Sequence, residues 1–481
     1  MLPRAGCLQV RCSLPTNTSA VLLAASRAAV ETQTTSMPSP NEVDATSRGG
    51  GDPAILGCGV GVRRPCHPSD LKPAGAVPAA TPPRARSGRA RSPSGRPRRV
   101  DAYARNVQAV VVGAGIGGLA ATIALEHAGV EPIVLERAPE LREAGFGLVL
   151  SANAVMALDS LGLRDVVATR GARVTQAEIR NPRGELLTLI DYEAHGWETY
   201  GILRSSLQQA MLEAIPFDRL RLNTTCIGAS EEGRALLDDT DSVTGEIVVG
   251  ADGINSAIRR SLFGEEPLRY GGHRAWRAGT RFEDGRIGER FVEVWGVGGG
   301  FGFGPAGRGR VYWYCFESVP EGAPAPEQPR EEFLRRYGTW FDPIPALIEA
   351  TEPEAIEPTF TYDRRPRRIW GRGRVTLLGD AAHPMKPNIG QGAAQALEDA
   401  VVLGICAAGE GEPDEILRDY ERRRIRRANA AVRASRRTGR TAEVRSRPAA
   451  RLRDTVMKTL PDGLTVAQLR DMFEFDPRAS A

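Results

Sequence analysis

Residues 110–118, Val-Val-Val-Gly-Ala-Gly-Ile-Gly-Gly, decide the fold of this chain. An apolar run that predicts a buried strand ends at a Gly-x-Gly-x-x-Gly pattern, and good helix formers follow through Glu126. In this order Gly113 permits a tight turn, Gly115 lets the backbone approach a pyrophosphate, and Gly118 lets helix and strand pack closely. The helix then directs its free N–H groups and its positive dipole end at the phosphates.

An acidic residue follows the glycines at the spacing that a nucleotide site requires. A second apolar run over residues 131–135 ends in Glu136, about 20 residues after the first glycine, where a carboxylate can bind a ribose hydroxyl. Strand, glycines, helix, strand and acid in this order predict a site for an adenine dinucleotide.

Length and charge restrict the class of protein. The chain has 481 residues, of which 41% are hydrophobic and 25% charged, enough for a large core and two to four domains. Residues 1–100 hold 14 Lys and Arg against 5 Asp and Glu, whereas the rest of the chain holds 49 against 54. Because the basic excess belongs to the leader, we expect no nucleic-acid partner.

The cysteines and histidines are too dispersed for a disulfide framework or a metal site. Seven cysteines occur without a Cys-x-x-Cys pair, four of them in the leader, and the chain has five histidines. This usage predicts a reducing compartment and no bound metal. The chain also lacks an apolar stretch near the roughly 18–20 residues that cross a bilayer, so we expect no transmembrane segment.

Residues 1–104 are rich in Pro, Gly, Ser, Ala and Arg, which predicts a disordered leader. Two explanations remain open. The leader resembles an organellar transit peptide, which would target the protein to an organelle. Alternatively it is translated upstream sequence of a GC-rich bacterial gene whose natural start lies near Val100 or Val107. The prevalence of Arg over Lys favours the second explanation and a cytoplasmic location.

Beyond the first helix, apolar periodicity and turn residues predict a series of alternating elements. Residues 270–317 alternate in the β manner and are rich in aromatic residues and glycine, which predicts a second sheet inserted into the nucleotide domain. The other predicted elements are helices over 151–161, 203–215, 330–350 and 414–436, a hairpin over 174–190, and buried strands over 247–250 and 374–378. The arginine-rich run over residues 422–437 is predicted to be a solvated helix face.

Two further motifs carry chemistry. Residues 250–259 read Gly-Ala-Asp-Gly-Ile-Asn-Ser-Ala-Ile-Arg, and residues 379–392 contain Gly-Asp-Ala-Ala-His-Pro followed by Pro-Asn-Ile-Gly-Gln-Gly. A buried strand delivers Asp380 to its carboxyl end, where doubly wound sheets bind ligands. Gly390-Gln391-Gly392 then opens a helix whose amino end carries about half a positive charge, suited to an anionic ring.

The three motifs in this order resemble those of the class A FAD monooxygenases, the single-component flavin aromatic hydroxylases, over residues 107–430. The segment 370–392 is similar to zeaxanthin epoxidases and FAD-dependent urate hydroxylases. The resemblance implies an oxidoreductase that binds FAD and uses NADPH or NADH with O2. It would hydroxylate or epoxidise a small aromatic or polyene/polyketide-type substrate through a flavin C4a-hydroperoxide. A flavin reductase without oxygen transfer and a non-catalytic flavoprotein are the alternatives.

The resemblance also implies an α/β fold with a Rossmann-like FAD-binding domain, an inserted and mainly antiparallel substrate sheet, and a C-terminal helical region. The FAD-binding domain would comprise residues 105–173, 201–265 and 361–410. The substrate sheet would comprise the hairpin 174–200 and residues 266–360, and the helical region residues 411–481.

Cofactor-binding roles follow from the same resemblance. Arg204 would reach the flavin from the start of a helix, although a surface arginine is the alternative. Asp252 would support flavin and nicotinamide, with a helix N-cap as an equal or additional role. Arg137 and Val149 match family positions that line the adenosine and the isoalloxazine. The full predicted set is Gly113, Gly115, Gly118, Glu136, Arg137, Val149, Arg204, Asp252, Asp380, Gly390, Gln391 and Gly392.

The substrate side is less determined. Arg277 ends the segment 270–277 and matches a substrate-holding arginine of urate hydroxylases; it could pair with a phenolate, carboxylate or enolate, or be a solvated strand residue. Asn388 replaces the acidic residue expected for urate and matches the epoxidase-like pattern. Tyr312 and Tyr314 share one strand face, with sheet core favoured over a substrate wall. The sequence identifies no catalytic base and no oligomeric state.

Overall fold

The first strand, turn and helix follow the predicted order and open a parallel sheet. In the computed structural model the described residues are 108–141 and 145–480, and the predicted leader over residues 1–104 lies outside them. Strand β1 spans Gln108–Val112 and helix α1 spans Ile116–His127. Because β1 pairs in parallel on both sides, it lies at the centre of its sheet.

The other strands are short around the nucleotide half and longer in the second sheet. They are β2 Glu131–Leu135, β3 Gly147–Leu150, β4 Ala172–Arg173, β5 Gln176–Arg180, β6 Leu186–Asp191, β7 Tyr200–Leu203, β8 Leu220–Arg221, β9 Cys226–Ser230, β10 Arg234–Leu237, β11 Ser242–Thr244, β12 Ile247–Gly250, β13 Arg269–Arg281, β14 Arg290–Trp295, β15 Gly299–Pro305, β16 Arg310–Glu317, β17 Glu357–Asp363 and β18 Val375–Leu377.

The other helices are concentrated in the final third of the chain. They are α2 Ala152–Ser160, α3 Arg164–Arg170, α4 Arg204–Glu213, α5 Ala257–Phe263, α6 Pro329–Tyr337, α7 Ile344–Glu349, α8 Gly392–Ala407, α9 Pro413–Ala442, α10 Arg447–Thr459 and α11 Asp462–Phe473. None of the helices described is long and apolar enough to cross a membrane.

The nucleotide half is built on a five-stranded parallel sheet in the order β18–β12–β1–β2–β8. Its central strands are continuous apolar runs, as expected for strands buried on both faces. Helices α1 and α8 pack against each other beside this sheet. The turns after β1, β12 and β18 therefore meet at one edge, because parallel strands all end on the same side.

The inserted sheet has seven strands in the order β17–β13–β16–β15–β14–β5–β6. All neighbouring pairs are antiparallel except β14 and β5. The predicted hairpin over residues 174–190 forms as β5 and β6 and joins this sheet. One face of the sheet packs against α6 and α7 through fully buried residues such as Trp313, Phe301 and Val294.

Strand β15 alternates glycine with bulky residues, and this alternation shapes the two faces of the sheet. Phe301 and Phe303 are buried in the core beneath the sheet. On the opposite face, a Cβ at Gly302 would lie 2.4 Å from the Tyr314 ring, and one at Gly304 would lie 2.5 Å from Phe291. Aromatic side chains of the neighbouring strands thus occupy the space above these glycines.

The C-terminal helices cover the glycine-rich face. Helices α10 and α11 both contact β6. Met457 of α10 packs in one hydrophobic cluster with Tyr314, and Leu469 and Met472 of α11 pack in another with Phe291. The helical region therefore encloses the side of the sheet that the core helices leave open.

Two local predictions are wrong. Residues 330–350 form two helices, α6 and α7, because Pro343 between them lacks the N–H that a continuous helix requires. The arginine-rich run over residues 422–437, predicted as a solvated face, includes Arg424, whose side chain is entirely buried. The helix α9 that carries the run packs against α8, and Arg424 lies on the packed side.

Candidate active site

In the turn after β1, two glycines allow close backbone packing and a third lies beside open space. Gly113 has a φ of +105°, and a Cβ there would lie 2.6 Å from the carbonyl oxygen of Ala251. At Gly118 a Cβ would lie 1.8 Å from the Gly113 oxygen. By contrast, a Cβ at Gly115 would meet nothing within 4 Å, and no side chain caps the amino end of α1. The turn therefore presents uncapped amides to open space.

Glu136 lies at the end of β2 and fixes this turn. Its Oε2 accepts a hydrogen bond from the N–H of Ala114 at 2.8 Å, and its Oε1 accepts one from Ala138 at 2.9 Å. Gln208 holds the other side of the turn by donating from Nε2 to the Ala114 oxygen at 2.8 Å. The neighbouring Arg137 is exposed, and its predicted contact with adenosine stays a prediction.

Asp252 binds the first turn of helix α5 and keeps one oxygen available. Its Oδ2 accepts hydrogen bonds from the N–H groups of Ala257 at 2.7 Å and Ile258 at 3.2 Å. The N-cap itself is Ser256, whose side chain accepts the N–H of Arg259, so Asp252 supports the helix start from outside the N-cap position. Its buried Oδ1 has no hydrogen-bond partner in the described structure and is available for a ligand.

The third turn brings Asp380 to the same edge of the parallel sheet. Asp380 follows β18 and is exposed, yet desolvation raises the pKa of its carboxyl, against the opposing charges of His383, Arg204 and Arg277. An accessible group that is nevertheless desolvated lines a cleft. Burial lowers the pKa of the Arg204 guanidinium. The negative charge of Asp380 opposes this decrease, and the positive charge of Arg277 adds to it. The structure therefore brings these three predicted residues together.

The amino end of α8 faces this cleft without side-chain capping. At both Gly390 and Gly392 a Cβ would meet nothing within 4 Å. The side chain of Gln391 turns inward instead: its Oε1 accepts from Asn153 Nδ2 at 2.9 Å, and its Nε2 donates to Ser151 Oγ at 2.8 Å. Gln391 thus anchors the loop through its side chain and leaves the backbone open.

A buried polar network lies beneath this helix end. Arg424 donates to Glu398 Oε2 at 2.6 Å and to Asp399 Oδ1 at 2.7 Å. Asp399 Oδ2 lies 2.6 Å from His383 Nε2 and accepts the N–H of Gly379 at 3.0 Å. The network therefore connects α9, α8 and the turn that carries Asp380. His383 holds that turn through Asp399.

The inserted sheet forms the opposite wall of the cleft. The Arg277 guanidinium lies over the ring of Phe146, 5.2 Å from its centroid. A Cβ at Gly147, the first residue of β3, would lie 2.5 Å from Tyr312, so this strand passes close above the sheet. Val149 is half-buried on β3 and pairs with Gly201. Its predicted place beside the isoalloxazine stays a prediction.

Asn388 contacts the long C-terminal helix α9. Its Nδ2 donates to the Ser435 oxygen at 3.3 Å, and the adjacent Lys386 pairs with Glu443 at 3.2 Å. The second contact also involves His273, whose Nδ1 lies 3.1 Å from Glu443. The loop that bears Asn388 is thereby fixed against α9 and the start of β13, and the substrate role of Asn388 stays a prediction.

Aromatic and acidic side chains line the sheet beyond Arg277. Tyr312 and Tyr314 are half-buried, so neither belongs entirely to the sheet core. The Tyr314 hydroxyl donates to Oε1 of Glu293 on β14, which is also half-buried. Desolvation raises the pKa of the Glu293 carboxyl, although hydrogen bonding by Tyr314 and Trp295 lowers it in part. No sequence pattern singles out Glu293, because an acid in an alternating strand is typical of any outward-facing position.

No sequence pattern indicates Gln208, Asn153 or Arg424, which bind the turns and the helix that line the cleft. Each contacts a partner far away along the chain, and Arg424 is hidden in a run of similar residues. Only the burial pattern of the folded helices distinguishes it from its neighbours.

Residues 106–435 match the family model described as FAD binding domain. The chain is 37% identical over 375 residues to aurachin C monooxygenase/isomerase of Stigmatella aurantiaca, covering 76% of this chain and 98% of that protein. It is 36% identical over 370 residues to 3-amino-4-hydroxybenzoate 2-monooxygenase PtnB3 of Streptomyces platensis, covering 73% and 92%.

A solved structure of similar fold contains both a cofactor and a ligand. The structure of Klebsiella pneumoniae HpxO complexed with FAD and uric acid has a TM-score of 0.72 and 27% identity to this chain. The similarity covers 77% of this chain and 97% of that one.

Proposed function

The chain belongs to the FAD binding domain family and is an FAD-dependent monooxygenase of that family, and we propose that it hydroxylates a small aromatic substrate with O2 and NADH or NADPH. The observation that carries the substrate class is the cleft wall opposite the nucleotide turns, where Arg277 and two half-buried tyrosines lie together. An arginine there suits an acidic oxygen, and aromatic side chains suit a ring.

The residues present fit FAD. The space beside Gly115, Gly390 and Gly392 is open where a side chain would otherwise stand, and two uncapped helix ends face it. The α1 end, with Gly113 and Glu136, would hold the adenosine diphosphate part. Asp380 and Arg204 would hold the ribityl and ring parts. The unpartnered Oδ1 of Asp252 would support the same cofactor.

When bound, FAD would supply the redox chemistry: acceptance of a hydride from the nicotinamide, and transfer of one oxygen atom of O2 to the substrate while the other is reduced to water. The amino end of α8 would stabilise negative charge on the ring through its backbone amides. Arg277 would bind and orient the ionised oxygen of the substrate. The inserted sheet and the helices α10 and α11 would exclude water from the cleft.

Substrate-dependent oxygen consumption tests the proposal. Purified protein is reconstituted with FAD and screened for NADH or NADPH oxidation with phenols, quinolones, polyketides and polyenes. We expect an aromatic compound to stimulate both cofactor oxidation and oxygen uptake, with one atom of ¹⁸O2 in the product. Anaerobic reduction of a substrate without oxygen uptake would instead identify a reductase. A FAD-free variant serves as the control for background oxidation.

A further inference from the structure

Glu293 and Arg277 lie in one cross-strand row of the inserted sheet. Arg277 of β13 pairs with Tyr314 of β16, Tyr314 pairs with Gly302 of β15, and Gly302 pairs with Glu293 of β14. Residues that pair directly across strands point to the same face. The acid, the tyrosine and the arginine therefore share the face that the core helices leave open.

The absence of a side chain at Gly302 lets Tyr314 reach Glu293. A Cβ at Gly302 would lie 2.4 Å from Cε1 and Cζ of Tyr314, so the ring lies directly above this glycine. The Tyr314 hydroxyl donates to Oε1 of Glu293. The ring also stacks with Phe291, with centroids 6.4 Å apart and an interplanar angle of 23°. These contacts hold the carboxyl in one place.

Glu293 has no cationic partner in the described part of the chain. The groups that act on its carboxyl are the neutral Tyr314 and Trp295, which oppose the rise in pKa caused by burial. By contrast, Glu317 on strand β16 of the same sheet pairs with Arg274 at 2.6 Å. A desolvated carboxyl that lacks such a partner gains from any hydrogen-bond donor that enters.

The row keeps accessible surface beneath a C-terminal helix, and the hollow is the space that this row and the helix border. Glu293, Tyr312 and Tyr314 each keep some accessible surface, whereas Trp313 on the other face has none. Desolvation nevertheless raises the pKa of all three groups. Met457 of α10 packs in the same cluster as Tyr314, so a C-terminal helix closes this side.

We propose that Glu293, held by Tyr314, is a second substrate anchor opposite Arg277 and accepts a hydrogen bond from an N–H group of the substrate. The inference rests on the proposed function, because it assigns a substrate to that same cleft. It names the substrate class as an aromatic amine or N–H heterocycle that bears an acidic oxygen on its far side.

The two anchors have complementary requirements. Arg277 has only donors and favours an anionic oxygen, whereas Glu293 lacks a cation and favours a donor. Three strand spacings separate their Cα atoms by about 14 Å. A small fused-ring molecule with polar groups at opposite ends can therefore contact both side chains when they extend into the hollow.

A pair of probes that differ in one group tests the proposal. 5-Amino-1-naphthol and 1-naphthol have the same two rings and the same acidic hydroxyl, but only 5-amino-1-naphthol carries an N–H group, on the ring far from that hydroxyl. Each is titrated into the FAD-loaded protein, and binding is followed by the change in flavin absorbance. We expect the wild-type protein to bind 5-amino-1-naphthol roughly ten-fold more tightly, the effect of a hydrogen bond to an ionisable group.

Variants then locate the preference. Glu293→Leu removes the acceptor, and we expect the ratio of the two dissociation constants to fall at least roughly five-fold with 1-naphthol binding unchanged. Glu293→Gln keeps a carbonyl oxygen and should retain part of the preference. Tyr314→Phe should weaken it by loosening Glu293. The exposed Glu289→Gln is the matched control and should keep the wild-type ratio.

The result that overturns the proposal is the lack of an N–H preference. Wild-type protein that binds both probes equally, or that fails to bind 5-amino-1-naphthol, contradicts the assigned substrate class. An unchanged ratio in Glu293→Leu, with FAD retained, contradicts the assigned residue. Either failure leaves the proposed function to its own test, because an aromatic compound from the wider screen can still stimulate oxygen uptake.

Discussion

Nε of Arg424 lies 2.7 Å from Oδ1 of Asp399, and both side chains are entirely buried. This pair joins the long helix α9 to α8, whose amino end faces the cleft. Asp399 also holds the turn before Asp380 through His383 and the N–H of Gly379. The long helix α9 thereby supports the floor of the candidate active site.

Replacing Arg424 should strongly destabilise the protein. Arg424→Met removes the arginine that pairs with buried Asp399 and leaves Glu398 paired with Arg427 alone. Breaking a buried ion pair costs about 3–5 kcal/mol in comparable sites. The free energy of unfolding, measured by denaturant titration with tryptophan fluorescence, checks this. Arg422→Met is the control, because that side chain is 69% exposed and should change stability by less than about 0.5 kcal/mol. Equal losses in both variants would contradict the prediction.

Asp399 should make stability depend on acid pH. Burial alone would raise the pKa of its carboxyl, but His383 and Arg424 outweigh burial and lower it from 3.8 to about 2. The unfolded chain therefore takes up this proton first, so the stabilisation is complete above about pH 4 and is lost as the pH falls toward 2.

Unfolding titrations between about pH 5 and pH 2.5 check the sign of this effect. We expect the free energy of unfolding to fall with decreasing pH more steeply in the wild type than in Asp399→Asn, which cannot take up the proton. Parallel profiles, offset only by a constant, would show that Asp399 does not titrate differently in the folded protein.

Gly115 and Gly118 should fail in different ways. A side chain at Gly115 meets no protein atom, so Gly115→Val should fold but lose FAD by blocking the pyrophosphate. A Cβ at Gly118 would overlap the Gly113 oxygen, so Gly118→Ala should lower the melting temperature as well. Flavin absorbance per protein and circular dichroism separate the two outcomes. A fully FAD-loaded Gly115→Val protein would refute the placement of the phosphates.

Asp380→Ala should weaken FAD binding without unfolding the protein. The carboxyl faces the cleft, so its removal leaves the core packing unchanged and eliminates the cost of desolvating its charge. FAD retention during gel filtration and the melting temperature of the apoprotein provide the two measurements. If FAD affinity stays at the wild-type level, Asp380 does not contact the cofactor.

Arg277→Ala should raise the KM for an acidic aromatic substrate at least ten-fold while FAD stays bound, because a charged hydrogen bond to the substrate is lost. Arg281→Ala, an exposed arginine on the same strand, is the control and should leave KM unchanged. Steady-state kinetics with the best compound of the screen measure both values. A similar KM in the two variants would remove Arg277 from the substrate site.

The sequence predicted the elements whose causes are local. The turn at Gly113 requires glycine because the Ala251 backbone approaches it, and the apolar strands around it require burial on both faces. Such local requirements leave a recognisable pattern within a few consecutive residues. The hairpin over residues 174–190 was predicted for the same reason, from its turn and its alternation.

The sequence could not predict contacts that depend on strand order and helix packing. Glu293 reaches Tyr314 only because β14, β15 and β16 are adjacent in that register. Arg424 differs from neighbouring arginines only because one side of α9 packs on α8. Neither relationship leaves a pattern in nearby residues, which is why the predicted site lacked an acid on the substrate side.

The dimensions of the hollow above β15 depend on glycines whose lack of a Cβ leaves room for the neighbouring aromatic rings. A single methyl group at Gly302 would push the Tyr314 ring away from the acid while the buried phenylalanines below stayed in register. Substrate choice could therefore be retuned by enlarging a residue that itself contacts no substrate, which makes this strand the first place to randomise when engineering new selectivity.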